Sequence, residues 1–308
     1  MWDIFLQTLP FFGLIAVGYS AGRTGFFSAE ATAYLTKFVF YFALSAMLFG
    51  FSSNLSLAEL FDWSFVAAYL FGSAFVYLIA VAVALFRRLS VEETAIEAHC
   101  AVIGNVGFLG IPMLTLLLGP AAVGPNLMVL AVDLLVFGTL VVVLITGSRD
   151  GRMSLAVLGT VGRGIVANPM LVSIFLGLTV STFEIPIPGP LNEFMGILGA
   201  AATPCALFAI GASLASKSAE RVAVAGWLSV AKLVLHPAAV AFAAFLMFDV
   251  DPYAAGVMVA AAALPVAGNV YIVAQHYGVA PHRVSASILI STVISVLTVS
   301  GVIALVAV

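Results

Sequence analysis

The amino-acid sequence predicts an all-α membrane protein of ten transmembrane helices, arranged as two inverted five-helix repeats. Three observations carry this prediction. Only 8% of the residues are charged and the mean hydropathy is +1.22, whereas about 25% of the residues of a soluble domain are charged. The apolar stretches are far longer than the segments of a transmembrane barrel and do not alternate with its period of two. Charged residues also alternate between the connections, as described below.

Ten apolar segments are long enough to cross a bilayer, which takes about 20 helical residues. In chain order they cover residues 4–21, 31–52, 63–85, 95–118, 122–146, 156–180, 190–215, 221–247, 253–275 and 283–306. A hydrophilic connection at 148–155 divides a first repeat, 1–147, from a second, 156–308. Because each repeat has an odd number of spans, the second enters the membrane from the opposite side, which is the condition for inverted repeats. The spacing of Pro10 and Gly18 recurs in Pro169 and Gly177.

The charged residues of the connections fall into two sets that alternate along the chain. The basic set is Arg23, Arg87, Arg88, Arg149, Arg152, Arg163, Lys217, Arg221 and Arg283. The set without Lys or Arg is Asp3, Glu59, Asp62, Glu184, Glu193, Asp249 and Asp251. Because cytoplasmic connections carry the excess of Lys and Arg, this alternation predicts a multi-pass protein of the plasma (bacterial inner) membrane with both termini outside the cytoplasm.

The fourth span of each repeat is broken by glycine and proline. The residues concerned are Gly104, Asn105, Gly107, Gly110 and Pro112 in span four, and Pro265, Gly268 and Asn269 in span nine. A glycine in a helix interior costs about 1 kcal/mol and a proline about 3 kcal/mol. Unwound backbone at membrane depth is tolerated only where it lines a cavity or is buried in protein. Broken spans in corresponding positions of two repeats are typical of secondary transporters.

The two breaks predict one shared binding site. Freed amides at a helix start favour an anion, and freed carbonyls at a helix end favour a cation. We expect a small carboxylate to bind between the breaks, at Gly104, Asn105, Gly107, Pro112, Pro265, Gly268 and Asn269. The alternative is that both breaks are packing kinks whose glycines allow close helix crossing.

Ionisable residues deep in the spans are candidates for ion coupling. Asp133 and Lys232 each lie roughly 16 Å from a membrane face, where a charge costs at least about 2.5 kcal/mol. His236 follows Lys232 by one helical turn. We expect Asp133 and Lys232 to form a buried pair that, with His236, couples transport to an ion. A static ion pair that fixes helix packing is the alternative.

Other polar residues have plainer expectations. The hydroxyls of Ser291, Thr292 and Ser295 in span ten are expected to bond back to helix carbonyls. Glu97 and His99 lie at the cytoplasmic mouth of span four, where the sequence does not separate a solvated role from gating.

Several short motifs follow one another along nearly the whole chain. They are Gly104-Asn105 through Gly110-Ile111-Pro112, Asn168-Pro169, Pro204 with 207–214, His236-Pro237, Leu264-Pro265 through Asn269, and Ser291-Thr292 through Ser295. At these residues the sequence resembles the auxin efflux carrier family, which lies within the wider group that includes bile acid sodium symporters. The short connection between spans five and six differs from the long regulatory loop of the plant PIN exporters.

The resemblance implies a scaffold of spans 1, 2, 6 and 7, often dimeric, and a transport domain of spans 3–5 and 8–10. In that domain spans four and nine would cross at Pro112 and Pro265. It also implies elevator-like movement and a small organic anion as substrate, such as malonate, malate or an auxin-like carboxylate.

Together these observations predict a secondary active transporter that works by alternating access. Its predicted partners are a small carboxylate, the lipid bilayer and a second copy of the chain through the scaffold helices, and no nucleic acid. No cofactor is predicted beyond H⁺ or Na⁺ as a coupling ion. A sodium-coupled bile-acid-type carrier, a passive anion channel and a sensor that binds without transport stay open. An intramembrane enzyme is disfavoured because the sequence has no His-Glu-x-x-His or Gly-x-Gly-Asp motif.

Overall fold

A computed structural model describes residues 2–55, 61–150, 155–215 and 222–306 of the chain. Helices make up 87% of this part, and no strand occurs in it, so the all-α prediction is confirmed. Four charged residues of the predicted alternation lie outside the described residues: Glu59, Arg152, Lys217 and Arg221.

The helices follow one another with short connections. In chain order they are α1 (Trp2–Arg23), α2 (Ala29–Ser52), α3 (Trp63–Phe86), α4 (Val91–Val102), α5 (Val106–Leu118), α6 (Pro120–Arg149), α7 (Leu155–Ala167), α8 (Pro169–Thr182), α9 (Gly189–Ala215), α10 (Val222–Met247), α11 (Pro252–Ala262), α12 (Gly268–Tyr277) and α13 (Pro281–Val306). Helices α6 and α10 each contain a π-helical turn around a charged residue, at Asp133–Phe137 and Ala231–Leu235.

Within the described ranges, seven helices are long and apolar enough to cross a membrane: α1, α2, α3, α6, α9, α10 and α13. Predicted spans four and nine are each divided into two shorter helices, α4–α5 and α11–α12, as the sequence predicts. Predicted span six is divided as well, into α7 and α8, and the Asn168 side chain caps α8 by accepting from the amides of Met170 and Leu171. The total of ten crossings stays a prediction.

Helices α1, α2, α8 and α9 pack on one another and form what we call the first helix group. Its contacts are close because glycines face neighbouring backbone. A Cβ on Gly18 of α1 would overlap the carbonyl oxygen of Phe208 in α9, and a Cβ on Gly177 of α8 would lie 2.8 Å from the carbonyl oxygen of Phe49 in α2. Gly18 and Gly177, which follow a proline at the same spacing in the two repeats, therefore both allow close backbone contact between helices.

A second helix group consists of α3, α4, α6, α10, α11 and α13, in which α4 and α11, the first halves of the two broken spans, pack against the other four helices. Residues Thr94 to Val102 of α4 and Ala255 to Ala262 of α11 are buried without interruption. A helix that is buried all round lies in the interior of its protein. These two helices and the irregular segments that follow them, 103–105 and 263–267, are thus surrounded by protein, which is the condition under which irregular backbone is tolerated at membrane depth.

Candidate functional site

The two helix breaks touch through their backbones. The amide of Asn105 donates to the carbonyl of Pro265 at 2.9 Å, and the amide of Ala267 donates to the carbonyl of Ile103 at 3.1 Å. These bonds form an isolated antiparallel bridge between Gly104 and Val266. The non-helical segments 103–105 and 263–267 therefore cross in contact, and each satisfies part of the backbone that the other has freed.

In span four the crossing lies at 103–105, so the expected crossing at Pro112 is wrong. In span nine it includes Pro265, as expected. Pro112 lies inside α5, directly after the π-helical turn Val106–Gly110. A proline inside a helix removes one backbone hydrogen bond, and a single π-helical turn is a common way for a helix to absorb such an irregularity. Pro112 thus lies several residues after the break and does not create it.

The glycines of the site differ in how closely they are packed. A Cβ on Gly104 would lie 3.2 Å from Lys232 Nζ, one on Gly107 would lie 2.7 Å from Met170 Cε of α8, and one on Gly110 would lie 2.5 Å from Leu264 Cδ1. Gly268 by contrast is exposed and faces open space. The crossing is therefore tightly packed on the Gly104 side and accessible on the Gly268 side.

The accessible side is the start of α12. No side chain caps this helix, and the first amides of any helix lack helical partners. Asn269 is half-buried next to Gly268, and its Oδ1 atom is buried without a hydrogen-bond partner. Asn105 is 6% exposed on the opposing segment. Uncapped amides and two side-chain amides thus lie at the crossing, and this arrangement favours an anion.

The side chain of Lys232 reaches the C-terminal end of α11, the helix before the break in span nine. Its Nζ donates to the carbonyl of Ala262, the last residue of α11, at 2.5 Å, and lies 3.1 Å from Nδ1 of His236. The side chains of Lys232 and His236 are fully buried. The carbonyl end that would favour a cation therefore already holds the ammonium group of the chain itself.

Asp133 is buried, as expected, but it does not pair directly with Lys232 in the described part of the chain. Its Oδ1 accepts a hydrogen bond from the Tyr69 hydroxyl at 2.8 Å, while Oδ2 has no partner. The expected direct pair is thus corrected. Lys232 is drawn to the Ala262 carbonyl and His236 instead, and Tyr69 satisfies one carboxylate oxygen.

The hydroxyls of α13 behave as predicted. Ser291, Thr292 and Ser295 donate to helix carbonyls at 3.2, 2.6 and 2.8 Å, respectively. Ser291 has a second role that the sequence did not suggest, because its Oγ also accepts the amide of Val266 at 3.1 Å. It thus satisfies a backbone donor of the crossing from a third helix.

Glu97 is neither solvated nor free, since it is 2% exposed and paired with two arginines. Its Oε2 lies 2.5 Å from Arg87 at the end of α3, and its Oε1 lies 3.0 Å from Arg283 at the start of α13. Arg283 also pairs with Glu93 at 2.7 Å, and Arg149 pairs with Glu92 at 3.0 Å. The acidic first half of α4 thus gathers three arginines of the predicted cytoplasmic set at one end of the second helix group.

Sequence reasoning missed Tyr69 and Ser73. Tyr69 bonds to Asp133, and Ser73 Oγ lies 2.8 Å from His236 Nε2. The available signal was that Tyr69 and Ser73 stand four residues apart in α3 and so share a helix face. Single tyrosines and serines are common in apolar helices, so this spacing does not mark them without knowledge of which helices adjoin α3.

Two comparisons with known proteins bear on this site. The family described as "Membrane transport protein" matches residues 3–156 and 141–303 of the chain. A protein of Rhizobium meliloti (strain 1021) named "Putative malonate transporter" is 34% identical over 304 residues, which cover 98% of this chain and 95% of that protein.

Proposed function

Because the chain belongs to the auxin efflux carrier family of membrane transport proteins, we propose that it is a secondary carrier for a small carboxylate such as malonate. The family membership that the sequence motifs indicate is thereby shown, and the chain is a membrane transporter and not an enzyme. The proposal goes further in naming the class of substrate, the site and the mode of coupling.

The observation that carries the proposal is the open, uncapped start of α12 at the crossing. Partial positive charge on unpaired amides at a helix start attracts a carboxylate. Asn269 with its unpartnered Oδ1, and Asn105 on the other segment, supply neutral polar groups that orient a ligand. A short dicarboxylate suits such a site, and the name of the relative from Rhizobium meliloti agrees with it.

We propose H⁺ rather than Na⁺ as the coupling ion. The carbonyl of Ala262 would be a ligand for a metal cation, but the ammonium group of Lys232 already bonds to it. Asp133 offers a buried carboxylate oxygen, Oδ2, that has no donor. A proton can join that oxygen without any further ligand, whereas Na⁺ needs several.

We further propose that the first helix group is a fixed scaffold and that the second group, with α5 and α12, moves across the membrane as an elevator. Packing supports this division, because the most extensive contacts between helices lie within the groups. In this arrangement the protein lies in the bacterial inner membrane with both termini outside the cytoplasm, and two copies associate through the scaffold.

Counterflow in liposomes tests the proposed function. Purified protein in liposomes loaded with unlabelled malonate should accumulate labelled malonate from outside, with saturation. Replacing Asn105 or Asn269 by Ala should raise the half-saturating concentration by about tenfold, which corresponds to the loss of one hydrogen bond of about 1.4 kcal/mol.

The Asn54→Ala variant is the matched control, because Asn54 is exposed and, among the described residues, its side chain donates to Gly50 and Ser53 next to it. It should transport like the wild type. Unchanged flux in both crossing variants would contradict the site. Flux that internal malonate does not accelerate would indicate a channel, and binding without flux would indicate a sensor.

A further inference from the structure

One face of α3 contacts two sets of buried polar side chains: Asp133 of α6, and His236 with Lys232 of α10. The Tyr69 hydroxyl donates to Asp133 of α6 at 2.8 Å, and one turn later Ser73 Oγ lies 2.8 Å from His236 of α10. The ring of Tyr69 also meets the ring of His236 edge-on, with centroids 5.9 Å apart. Tyr69 therefore contacts both Asp133 and His236, and His236 in turn lies next to Lys232.

The position of Tyr69 is fixed by packing as well as by hydrogen bonding. The side chain is 1% exposed and is among the largest that are fully buried. Between Tyr69 and Ser73, a Cβ on Gly72 would lie 2.7 Å from the Cα atom of Val240 in α10. Helices α3 and α10 thus touch through their backbones at this point, so that neither can slide past the other without loss of packing.

We propose that Tyr69 is a positioning residue for ion coupling: by holding Oδ1 of Asp133, it leaves Oδ2 as the oxygen that takes up and releases the coupling proton. This inference rests on the proposed function. One proton enters from the compartment to which the site is open, binds to Oδ2, and leaves to the other compartment with the anion. No covalent bond of the protein changes otherwise.

The surroundings of Asp133 limit what else can set its protonation. Its titratable neighbours are Tyr69 from α3 and Lys232 from α10, with His236 behind the Tyr69 ring. Lys232 is engaged with Ala262 and His236, so Tyr69 is the direct donor to the carboxylate. A donor stabilises the ionised form of the carboxylate that it bonds to.

The Tyr69→Phe variant tests the inference, because it removes the hydroxyl and keeps the ring. Tyr77→Phe is the matched control: Tyr77 lies two turns further along the same buried face of α3, and its hydroxyl has no partner. Uptake of labelled malonate into liposomes is measured between pH 5 and 9 for both variants and the wild type, together with the melting temperature of each.

We expect Tyr69→Phe to move the pH of half-maximal uptake upward by about one unit, which is the size expected for one lost hydrogen bond to a carboxylate. Tyr77→Phe should keep the wild-type profile. The same midpoint in Tyr69→Phe and wild type overturns the inference, even if the maximal rate falls, since a merely structural role would lower the rate alone.

A double variant keeps the test decisive if Tyr69→Phe is less stable. In an Asp133→Asn background, addition of Tyr69→Phe should leave the remaining pH profile unchanged, and a further shift would overturn the inference. Malonate counterflow at equal pH on both sides separates this inference from the proposed function. Absence of counterflow in the wild type rejects the function itself, whereas normal counterflow with equal midpoints rejects only the role of Tyr69.

Discussion

Lys232 supplies a hydrogen-bond donor to a backbone carbonyl that the break in span nine leaves without a helical partner. The carbonyl of Ala262 has no partner in a next turn because α11 ends there and the amide of Val266, four residues on, donates to Ser291 instead. A buried carbonyl without a donor costs about 1–3 kcal/mol, and so does a buried donor without an acceptor. The ammonium group and the carbonyl satisfy each other, and His236 takes a second hydrogen of the ammonium group.

We expect Lys232→Met to lower the melting temperature and to abolish uptake driven by a pH gradient. Methionine fills a similar volume but leaves the Ala262 carbonyl and the His236 ring without their donor, at about 1–3 kcal/mol each. Thermal unfolding in detergent and gradient-driven uptake measure the two effects. Lys37→Met is the control, because Lys37 is exposed and lies over the Tyr34 ring. Equal melting temperatures for the two variants would contradict this account.

For the ionisable residues inside the spans, the sequence predicted burial correctly but did not predict their hydrogen-bond partners. Depth along an apolar span was enough to mark Asp133, Lys232 and His236 as buried. Their bonds depend on which helices adjoin, and the energy of the pair Asp133–Lys232 depends on competing partners such as Tyr69 and the Ala262 carbonyl. Those competitors are a tyrosine and a backbone atom, which no spacing in the sequence connects with the charges.

Helix α4 combines two roles in one short element. Its first turns are acidic and begin with a capping box at Ser90 and Glu93, whereas its last turns are apolar and lead into the crossing. Glu97 stands where these parts meet, and its two arginines come from α3 and α13. The ion pairs thus fix the helix that leads into Gly104 and Asn105 to two other helices of its group.

We expect Glu97→Gln to destabilise the protein by about 3 kcal/mol, because removal of one partner from a buried ion pair leaves uncompensated charge. Glu92→Gln should cost less than about 1 kcal/mol, since its pair with Arg149 is partly exposed. Chemical denaturation of the purified protein compares the two variants. A loss as small for Glu97→Gln as for Glu92→Gln would show that the cluster adds little.

The helix breaks were predictable as elements, because glycine, asparagine and proline interrupt apolar runs. In span four, Gly104 and Asn105 marked the place where the structure leaves the helix, after Val102. The crossing point was not predicted correctly: the family resemblance implied Pro112, whereas the backbone pairs at Ile103 and Asn105. Which residues pair depends on the partner segment, and no signal within span four alone reports it.

The whole molecule shows paired features that agree with two related halves. Gly18 of α1 contacts α9, and Gly177 of α8 contacts α2, so the echoed glycines of predicted spans one and six each face a span of the other half. The two bonds of the crossing are likewise reciprocal. These pairs support the proposed inverted repeat, which the sequence predicted from span parity and charge.

The contact between the two helix groups offers a test of the elevator. Thr8 of α1 and Ser300 of α13 are buried, and their hydroxyl oxygens are 2.8 Å apart. We expect Thr8→Cys combined with Ser300→Cys, in a chain whose Cys100 and Cys205 are replaced by alanine, to lose counterflow on oxidation and to regain it on reduction. The single cysteine variants are the controls, and full counterflow in the oxidised double variant would show that α1 and α13 need not separate.

The reciprocal bonds of the crossing also constrain how the protein is made. Ile103 and Asn105 lie about 160 residues ahead of their partners in the chain, and a ribosome adds about 5–20 residues per second. For roughly 10–30 seconds the first half must therefore wait during synthesis with unpaired backbone groups, each costly in lipid. We expect the nascent first half to keep this segment in contact with water or the insertion machinery until residues 265–267 emerge, so that assembly of the site completes the entry of the protein into the bilayer.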